Sequence, residues 1–257
     1  MDLGLSGARA FVGGASAGLG LAVAEALAAE GARVALVARS AERLEDHARR
    51  LGNGAIAIPA DLSTADGPVS AMDRALDAFG GLDLVYANSG GPPGGRFATV
   101  TDEQWQRAID GVLWMVIHTI RAGLAPLSKS DRGAIVVGLS SSVREPVASL
   151  ATSNTLRPGI AGLIKTLVAE IAPIRINGLA PGRIATARIE ELDHARSVEA
   201  GRSIEQVQSE QIARIPLGRY GEPAEFGRVA AFLLSPAASY VSGAILTVDG
   251  GLIRALP

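Results

Sequence analysis

The segment 8–39 constrains the fold most, because it places a strand, a glycine-rich turn, a helix and a second strand in succession. An apolar run ends at Gly13 and Gly14, a helix-period segment covers 19–30, and a second β-branched run covers 34–37. This order and length are typical of one βαβ crossover unit. The sequence therefore predicts a parallel sheet whose first two strands are joined by a helix.

The glycines of this turn have the spacing Gly14-x3-Gly18-x-Gly20. A strand that turns directly into a helix beneath a phosphate needs positive φ angles and no Cβ where the phosphate approaches. The free N–H groups at the start of such a helix bind anions. The spacing differs from the G-x-G-x-x-G of the commoner dinucleotide fingerprint, and any tight turn between a strand and a helix could contain it. We expect a nucleotide-phosphate site here.

Length, composition and charge limit the remaining choices. A chain of 257 residues suits one large α/β domain, and 48% hydrophobic content with 4% aromatic content predicts an aliphatic core. The net charge of −2 argues against a nucleic-acid or anionic-membrane surface. The absence of cysteine excludes disulfides, thiolate chemistry and cysteine–zinc sites.

The first residues have neither a charged region nor a long apolar region of the kind found in signal peptides. The apolar runs fall short of the ~18 residues that a membrane helix needs. We therefore expect a cytoplasmic protein with no membrane partner. The three histidines, at 47, 118 and 194, have no spacing that indicates a metal site.

Strand-type and helix-type segments alternate along the whole chain. Apolar strand candidates cover 8–12, 33–38, 54–58, 82–87, 133–139, 174–179 and 244–248. Helical patterns cover 18–30, 40–51, 65–79, 101–125, 153–171 and 223–234. Such alternation predicts an α/β fold with a parallel sheet covered on both faces. No repeat, low-complexity tract or linker divides the chain, so residues 1–257 are expected to form a single domain.

Arg39 follows the second strand, about 20 residues beyond the glycine turn. In dinucleotide sites an acidic residue at this point binds the ribose 2′-hydroxyl, whereas an arginine accommodates a 2′-phosphate. Position 38 is Ala, and the next carboxylate is Glu42. NADP(H) is therefore favoured over NAD(H), although Arg39 could also be a solvated charge at the start of a helix.

Five motifs in order along the chain resemble those of the short-chain dehydrogenase/reductase family. Residues 13–20 match T-G-x-x-x-G-x-G with Gly13 in place of Thr, 87–90 resemble N-N-A-G, and 241–251 match the C-terminal strand. The other two motifs are Asp61-Leu62, and Pro181-Gly182 with Thr186. The resemblance implies a doubly wound Rossmann-type domain with seven parallel strands in the order 3-2-1-4-5-6-7.

The resemblance also implies which residues bind the dinucleotide. Asp61 corresponds to the family's adenine-contacting aspartate, and Pro181 to Thr186 correspond to the segment that holds the nicotinamide carboxamide. The full cofactor-binding set expected from the motifs and from the turn is Gly14, Ser16, Gly18, Leu19, Gly20, Arg39, Asp61, Leu62, Asn88, Gly90, Arg157, Pro181, Gly182 and Thr186.

The chain departs from the family at the residues that carry its chemistry, an Asn, a Ser, and a Tyr and Lys arranged as Y-x-x-x-K. The register places Ser153 at the tyrosine, Arg157 at the lysine and Val112 at the asparagine, and only Ser140 is kept. The three tyrosines, at 86, 220 and 240, and the two lysines, at 129 and 165, form no Y-x-x-x-K. The sequence resembles a divergent branch that carries S-N-x-x-R instead.

Neither a serine nor an arginine is a good general acid near pH 7. Three hypotheses remain open. Ser140, Ser153 and Arg157 could polarise a carbonyl while water delivers the proton, which suits activated substrates such as quinones or β-diketones. The fold could instead bind NADP(H) without catalysis, as a sensor or a partner subunit. The site could also support non-redox dehydration or isomerisation.

For several other residues near the expected site, the sequence supports only general expectations. Ser141 and Ser142 could share the role of Ser140, and Tyr86 is expected to be packed rather than catalytic. Arg144 and Glu145 are expected to form a solvated ion pair, with proton relay by Glu145 as the alternative.

Residues 184–216 form a polar insert that the resemblance identifies as the substrate lid, with two short helices expected. The family commonly forms tetramers through the helices at 101–125 and 153–171, so a homotetramer or homodimer is expected. The expected partner is a small carbonyl or alcohol substrate, with no nucleic acid.

Overall fold

The computed structural model describes residues 2–255 and contains one seven-stranded parallel sheet. Its strands are β1 (Arg9–Gly13), β2 (Arg33–Ala38), β3 (Ile56–Pro59), β4 (Leu84–Ala87), β5 (Ala134–Gly138), β6 (Arg175–Pro181) and β7 (Ile245–Val248). The spatial order is β3-β2-β1-β4-β5-β6-β7, and every neighbouring pair is parallel. This is the order that the resemblance implies, so the predicted Rossmann-type fold is confirmed.

Helices connect the strands as expected. They are α1 (Gly18–Ala29), α2 (Ala41–Leu51), α3 (Gly67–Phe79), α4 (Asp102–Ala108), α5 (Met115–Leu127), α6 (Ala151–Glu170), α7 (Ala187–Ala200), α8 (Ile204–Ala213) and α9 (Pro223–Leu234). A π-helical segment, Ile109–Trp114, joins α4 to α5, where the sequence predicts one regular helix. The insert at 184–216 contains two short helices, α7 and α8, in agreement with the expectation.

The helices cover both faces of the sheet. Helices α1 and α9 pack on one face, where Gly227 permits close contact because a Cβ there would lie 2.3 Å from Ala22 O. Helices α3, α5 and α6 pack on the other face around aliphatic side chains. Since both faces are buried, the strands have the near-continuous apolar runs seen in the sequence.

The continuous helix from Asp102 to Leu127 is long and apolar enough to cross a membrane by length and composition. The sequence pattern predicts no segment of this kind, because the helix contains no uninterrupted apolar run of ~18 residues. Met115, Val116 and Ile120 of this helix are buried in the core.

Polar groups at the amino edge of the sheet are paired. Asp83, just before β4, accepts hydrogen bonds from Arg9 Nε at 2.9 Å and Nη2 at 2.8 Å, and from Ser130 Oγ at 2.7 Å. Arg175, at the start of β6, donates to the carbonyl oxygens of Leu233 at 2.8 Å and Ser235 at 3.0 Å. These contacts anchor the strand starts to the helices and loops beneath them.

Candidate functional site

A cleft of about 1760 Å³ lies along the carboxyl edge of the sheet. Loops that follow β1, β2, β3, β4, β5 and β6 line it, and the insert at 184–216 closes one side. The carboxyl edge is where ligands bind in open α/β sheets. All fourteen expected cofactor residues and all three expected catalytic residues line this cleft.

The turn between β1 and α1 forms a tight backbone cradle that requires glycine at several positions. Gly14 and Gly18 have φ of +67° and +56°, in the left-handed region that favours glycine. A Cβ on Gly20 would lie 2.2 Å from Gly14 O, and no side chain caps the N-terminus of α1 at Ala17. The first N–H groups of α1 therefore remain free for an anion.

Two further members of the expected set, Ser16 and Leu19, lie on this turn and line the cleft. His47 of α2 supports the turn, with Nε2 3.2 Å from Ser16 O. The turn is thus held by a neighbouring helix as well as by its own glycines.

The loops after β2 and β3 supply charged groups to one end of the cleft. Arg39 and Arg43 are exposed and line it, together with Asp61. Hydrogen bonds from the Ser63 side chain and backbone to Oδ1 lower the pKa of Asp61 below its usual value. Leu62 is buried and packs in the core beneath this end.

Asn88 ties the loop after β4 to the glycine turn. Its Nδ2 donates to Gly13 O at 3.3 Å, and a Cβ on Gly13 would lie 2.4 Å from Asn88 O. The close approach leaves no space for a Cβ at Gly13, the position where the family has threonine. Gly90 follows in the same loop and is exposed to the cleft.

The end of β6 brings the third expected motif to the cleft. A Cβ on Gly182 would lie 2.5 Å from Asp249 Cβ, so this position also requires close backbone contact. Thr186 precedes α7, and its Cγ2 lies 3.7 Å from where a Cβ on Gly18 would be. Thr186 therefore lies next to the start of α1, and Pro181 and Gly182 line the same cleft.

Three serines form the hydroxyl cluster of the site. Ser153 Oγ lies 3.1 Å from Ser142 Oγ, and Ser140 Oγ accepts a hydrogen bond from Ser142 N at 3.2 Å. Ser140 and Ser153 line the cleft, whereas Ser142 lies behind them. The direct partner of Ser153 is thus Ser142 and not Ser140, a detail that the spacing of Ser140 did not reveal.

Arg157 lies beneath the hydroxyl cluster and is 9% exposed. Its Nη1 donates to Gly138 O at 2.7 Å, and its buried Nε has no partner among residues 2–255. Burial lowers the pKa of the guanidinium to about 10, and the like charge of Arg188 contributes to the lowering. Arg157 remains a cation at neutral pH, with no carboxylate of the described chain paired to it.

Tyr86 is packed, as expected, but its phenol reaches the site from below. The side chain is fully buried, its O–H has no partner among the described residues, and burial raises its pKa. A Cβ on Gly138 would lie 2.9 Å from this oxygen and 2.7 Å from Asn88 Oδ1. The sequence shows only a tyrosine on an apolar strand, so this proximity could not be inferred from it.

The position that corresponds to the family's asparagine is apolar. Val112 lies in the π-helical segment, is 2% exposed and packs in the core. The polar atom next to it is the backbone carbonyl of Gly111, which accepts a hydrogen bond from Ser89 Oγ at 2.5 Å. No side-chain amide is therefore presented here.

Contacts of α7 hold the insert at 184–216 against the cleft. Asp193 of α7 is fully buried, pairs with Arg183 and accepts a hydrogen bond from Tyr220 Oη at 2.8 Å. Arg188 of α7 donates from Nη2 to Pro92 O at 2.8 Å, which joins the insert to the loop after β4.

Arg144 and Glu145, which follow the serines of the hydroxyl cluster in the chain, differ from the expectation. Glu145 is exposed and lines the cleft, and it forms no ion pair with Arg144, so the expected pair is wrong. Arg144 instead lies with Nη2 3.5 Å from Ile245 O. Within residues 2–255, no cluster of three or more potential metal-ligating side chains was found.

Comparisons with known proteins agree with this geometry. A model of the family described as Enoyl-(Acyl carrier protein) reductase matches residues 14–253. An uncharacterized oxidoreductase of Mycobacterium bovis is 34% identical over 251 residues, which are 96% of this chain and 97% of that protein.

Solved structures are similar over the whole chain. L-sorbose reductase from Gluconobacter frateurii, complexed with NADPH and L-sorbose, superposes with a TM-score of 0.93 at 28% identity and covers 100% of both chains. An NADPH-bound short chain oxidoreductase from Pseudomonas aeruginosa PAO1, described as containing an atypical catalytic center, has a TM-score of 0.86 at 30% identity. It covers 98% of this chain and 100% of that one.

The chain belongs to the short-chain dehydrogenase/reductase family of oxidoreductases. The family accounts for the seven-stranded sheet and for the glycine turn at its carboxyl edge.

Proposed function

We propose that the protein is an NADP(H)-dependent oxidoreductase of carbonyl or alcohol groups whose site uses Ser140, Ser153 and Arg157 in place of a tyrosine–lysine pair. One observation carries the proposal. The glycine cradle is intact and opens into a cleft whose described lining contains these three side chains and neither tyrosine nor lysine. The protein thus keeps a dinucleotide site while its proton-transfer groups have changed.

The residues of the cleft fit a nicotinamide dinucleotide. The cradle has positive φ at Gly14 and Gly18 and no space for a Cβ at Gly20, and the uncapped N-terminus of α1 presents N–H groups to a pyrophosphate. Asn88, Pro181, Gly182 and Thr186 are placed along the same groove. When bound, the cofactor supplies the hydride or accepts it.

The phosphorylated cofactor fits better than the plain one. Arg39 and Arg43 line the end of the cleft beside β2, and Ala38 occupies the position that precedes Arg39. An arginine at this point accommodates a 2′-phosphate. The NADPH-bound relatives from G. frateurii and P. aeruginosa support this choice.

Ser153 and Ser140 can orient a substrate oxygen by hydrogen bonding, since both hydroxyls line the cleft. The nearby Arg157 cation stabilises negative charge that develops on that oxygen, and its burial strengthens the effect. Neither group releases a proton readily near pH 7, so water within the open cleft delivers it. Losing a dedicated general acid costs about 10²–10⁴ in rate, which favours substrates with activated carbonyls such as quinones and β-diketones.

A second candidate function is NADP(H) binding without catalysis, as a sensor or a partner subunit. The contact between Ser142 and Ser153 favours it, because each hydroxyl already has a partner inside the protein. Non-redox dehydration or isomerisation has no comparable observation in its favour.

The test follows NADPH consumption with a panel of quinones and β-diketones. We expect turnover of at least one activated carbonyl, and we expect Ser153→Ala to lower kcat/KM by about 100-fold. The matched control is Thr155→Ala on the same helix, because the Thr155 hydroxyl is exposed and bonds only Ala151 O at 3.0 Å. Saturable NADPH binding without turnover across the panel would instead support the non-catalytic function.

We also propose that the chain associates through α5 and α6, as the family resemblance implies. Trp114, which directly precedes α5, is 41% exposed and stacks on His118 at 5.2 Å between ring centroids. An exposed tryptophan is typical of an interface. Light scattering on the purified protein tests this, with a tetramer or dimer expected and a monomer contradicting it.

A further inference from the structure

The charge of the cleft is opposite to that of the whole protein. The chain has a net charge of −2, yet nine arginines and three acidic residues line the cleft. A cleft lined by one sign of charge attracts ligands of the other sign. A dinucleotide phosphate accounts for the arginines beside β2 but does not account for those at the other end of the cleft.

Arg157 is the most informative of these other arginines. It is nine-tenths buried, donates one hydrogen bond, to Gly138 O, and leaves Nε without a partner among the described residues. An unpaired buried cation is strongly unfavourable unless a counter-ion compensates it. No carboxylate of residues 2–255 forms an ion pair with it, so the compensating charge has to come from a ligand.

Arg188 brings a second cation to the same space from the insert. Its Nη2 is held by Pro92 O at 2.8 Å, and its Nε lies 3.0 Å from where a Cβ on Gly91 would be. Its ion pair with Glu191 is weak, because the atoms are 3.4 Å apart and both side chains are well exposed. Arg157 and Arg188 both line the cleft, and no carboxylate of residues 2–255 forms an ion pair with Arg157.

The cofactor does not neutralise this pair of cations. A reduced nicotinamide ring is neutral and an oxidised one is positive, whereas the negative groups of the dinucleotide are phosphates. Those phosphates are expected at the N-terminus of α1 and beside Arg39, away from α6. Two arginines would therefore remain uncompensated in the holoenzyme.

We propose that the substrate of this enzyme is an organic anion, a carbonyl or alcohol compound whose carboxylate is bound between Arg157 and Arg188. The inference rests on the proposed oxidoreductase function and specifies its substrate class. Arg157 holds the anion from the floor of the cleft, and Arg188 holds it from the insert. The insert thus selects charge as well as excluding water.

The test compares carboxylates with neutral molecules of the same shape. The probes are acetoacetate against acetylacetone, and benzoylformate against 1-phenylpropane-1,2-dione, in which a methyl group replaces the carboxylate oxygen. Each is titrated by calorimetry into protein saturated with NADP⁺, where a carbonyl compound is not turned over. NADPH and NADP⁺ affinities are measured first for every variant.

We expect at least one carboxylate to bind about 10-fold or more tightly than its neutral partner at low ionic strength, because hydrogen bonds to charged groups are the stronger ones. The preference should shrink in high salt and should disappear in Arg188→Gln. The matched control is Arg228→Gln, which removes an exposed arginine of α9 outside the cleft and should keep the preference.

Equal or weaker binding of both carboxylates relative to their neutral partners would overturn the inference, as would failure of both carboxylates to bind. A preference that survives in Arg188→Gln would also overturn it, because the charge of the nicotinamide ring would then suffice. These outcomes leave the proposed function standing if NADP⁺ binds. Loss of NADP⁺ binding in the unmodified protein would instead refute the proposed function.

Discussion

The two edges of the sheet differ in whether their buried polar side-chain atoms have hydrogen-bond partners. At the amino edge, Arg9 and Asp83 satisfy each other, and Arg175 is surrounded by backbone carbonyl oxygens. At the carboxyl edge, Tyr86 Oη, Arg157 Nε and Arg183 Nε are buried without partners, and these are the side-chain atoms of this kind found in residues 2–255. The amino edge therefore contributes to stability, whereas the carboxyl edge keeps binding capacity for a ligand.

The largest effect is expected at the amino edge from Arg9→Met. The change leaves Asp83, which is 4% exposed, without its bidentate partner and should lower the free energy of unfolding by about 3 kcal/mol. NADPH affinity should be unchanged because the pair lies at the far edge from the cleft. Urea unfolding and NADPH titration measure the two quantities.

The control for this change is Arg49→Met, which breaks an exposed ion pair with Asp46 and should cost less than about 0.5 kcal/mol. Equal losses in the two variants would contradict the difference between buried and exposed pairs.

Arg157→Met should reduce activity without reducing stability, which is the reverse of the result expected for Arg9→Met. Replacing an unpaired buried cation by an apolar side chain should leave the free energy of unfolding unchanged or raise it by about 1–4 kcal/mol. Turnover of an accepted substrate should fall by about 100-fold, equivalent to about 2.7 kcal/mol, because the group that stabilises negative charge is lost. Steady-state kinetics and urea unfolding test both parts, and a stability loss as large as that of Arg9→Met would remove the contrast between the edges.

The third prediction concerns pH and the amino edge. Burial alone would raise the pKa of Asp83, but hydrogen bonds from Arg9 and Ser130 outweigh it and lower the pKa to about 2. Since the unfolded value is 3.8, the stabilisation is complete above about pH 5 and is lost as the pH falls towards 2. About 2 kcal/mol should disappear over this range.

Urea unfolding at several pH values measures this loss. Asp83→Asn should flatten the dependence, while Asp77→Asn on the exposed side of α3 should keep it. An unchanged slope in Asp83→Asn would assign the acid sensitivity to other carboxylates.

The smallest effect is expected from Tyr86→Phe. Because the buried O–H has no partner, its removal should leave the free energy of unfolding unchanged or raise it by up to about 1 kcal/mol. Tyr220→Phe is the matched change, since it removes the 2.8 Å hydrogen bond to buried Asp193 and should destabilise by about 1 kcal/mol. If thermal unfolding showed that Tyr86→Phe and Tyr220→Phe destabilise the protein equally, the Tyr86 hydroxyl would have a partner in solution.

The features that the sequence predicts are local ones. Strand and helix positions follow from apolar periodicity, and the cradle follows from the spacing of Gly14, Gly18 and Gly20. Ser153 and Arg157 could be found by counting from fixed motifs, because one helix holds them in a known register. The family resemblance then supplied the strand order.

The remaining features depend on packing between distant segments. The phenol of Tyr86 reaches Gly138 because two strands are adjacent, and Ser142 meets Ser153 because a 3₁₀ turn follows β5. The lack of an ion-pair partner for Arg157 depends on all its neighbours together, so no single motif predicts it. The π-helical segment is likewise invisible in a regular helical pattern.

The central claim is that the glycine cradle holds NADP(H) while the opposite end of the cleft carries an altered catalytic site. Equilibrium titration of the purified protein with NADPH and NADH tests it most directly, with Gly20→Ala as the variant that displaces the backbone of the cradle. The account predicts saturable binding of both reduced cofactors, tighter for NADPH, and loss of that binding in a folded Gly20→Ala protein. The absence of saturable binding for either cofactor in the unmodified protein would contradict it.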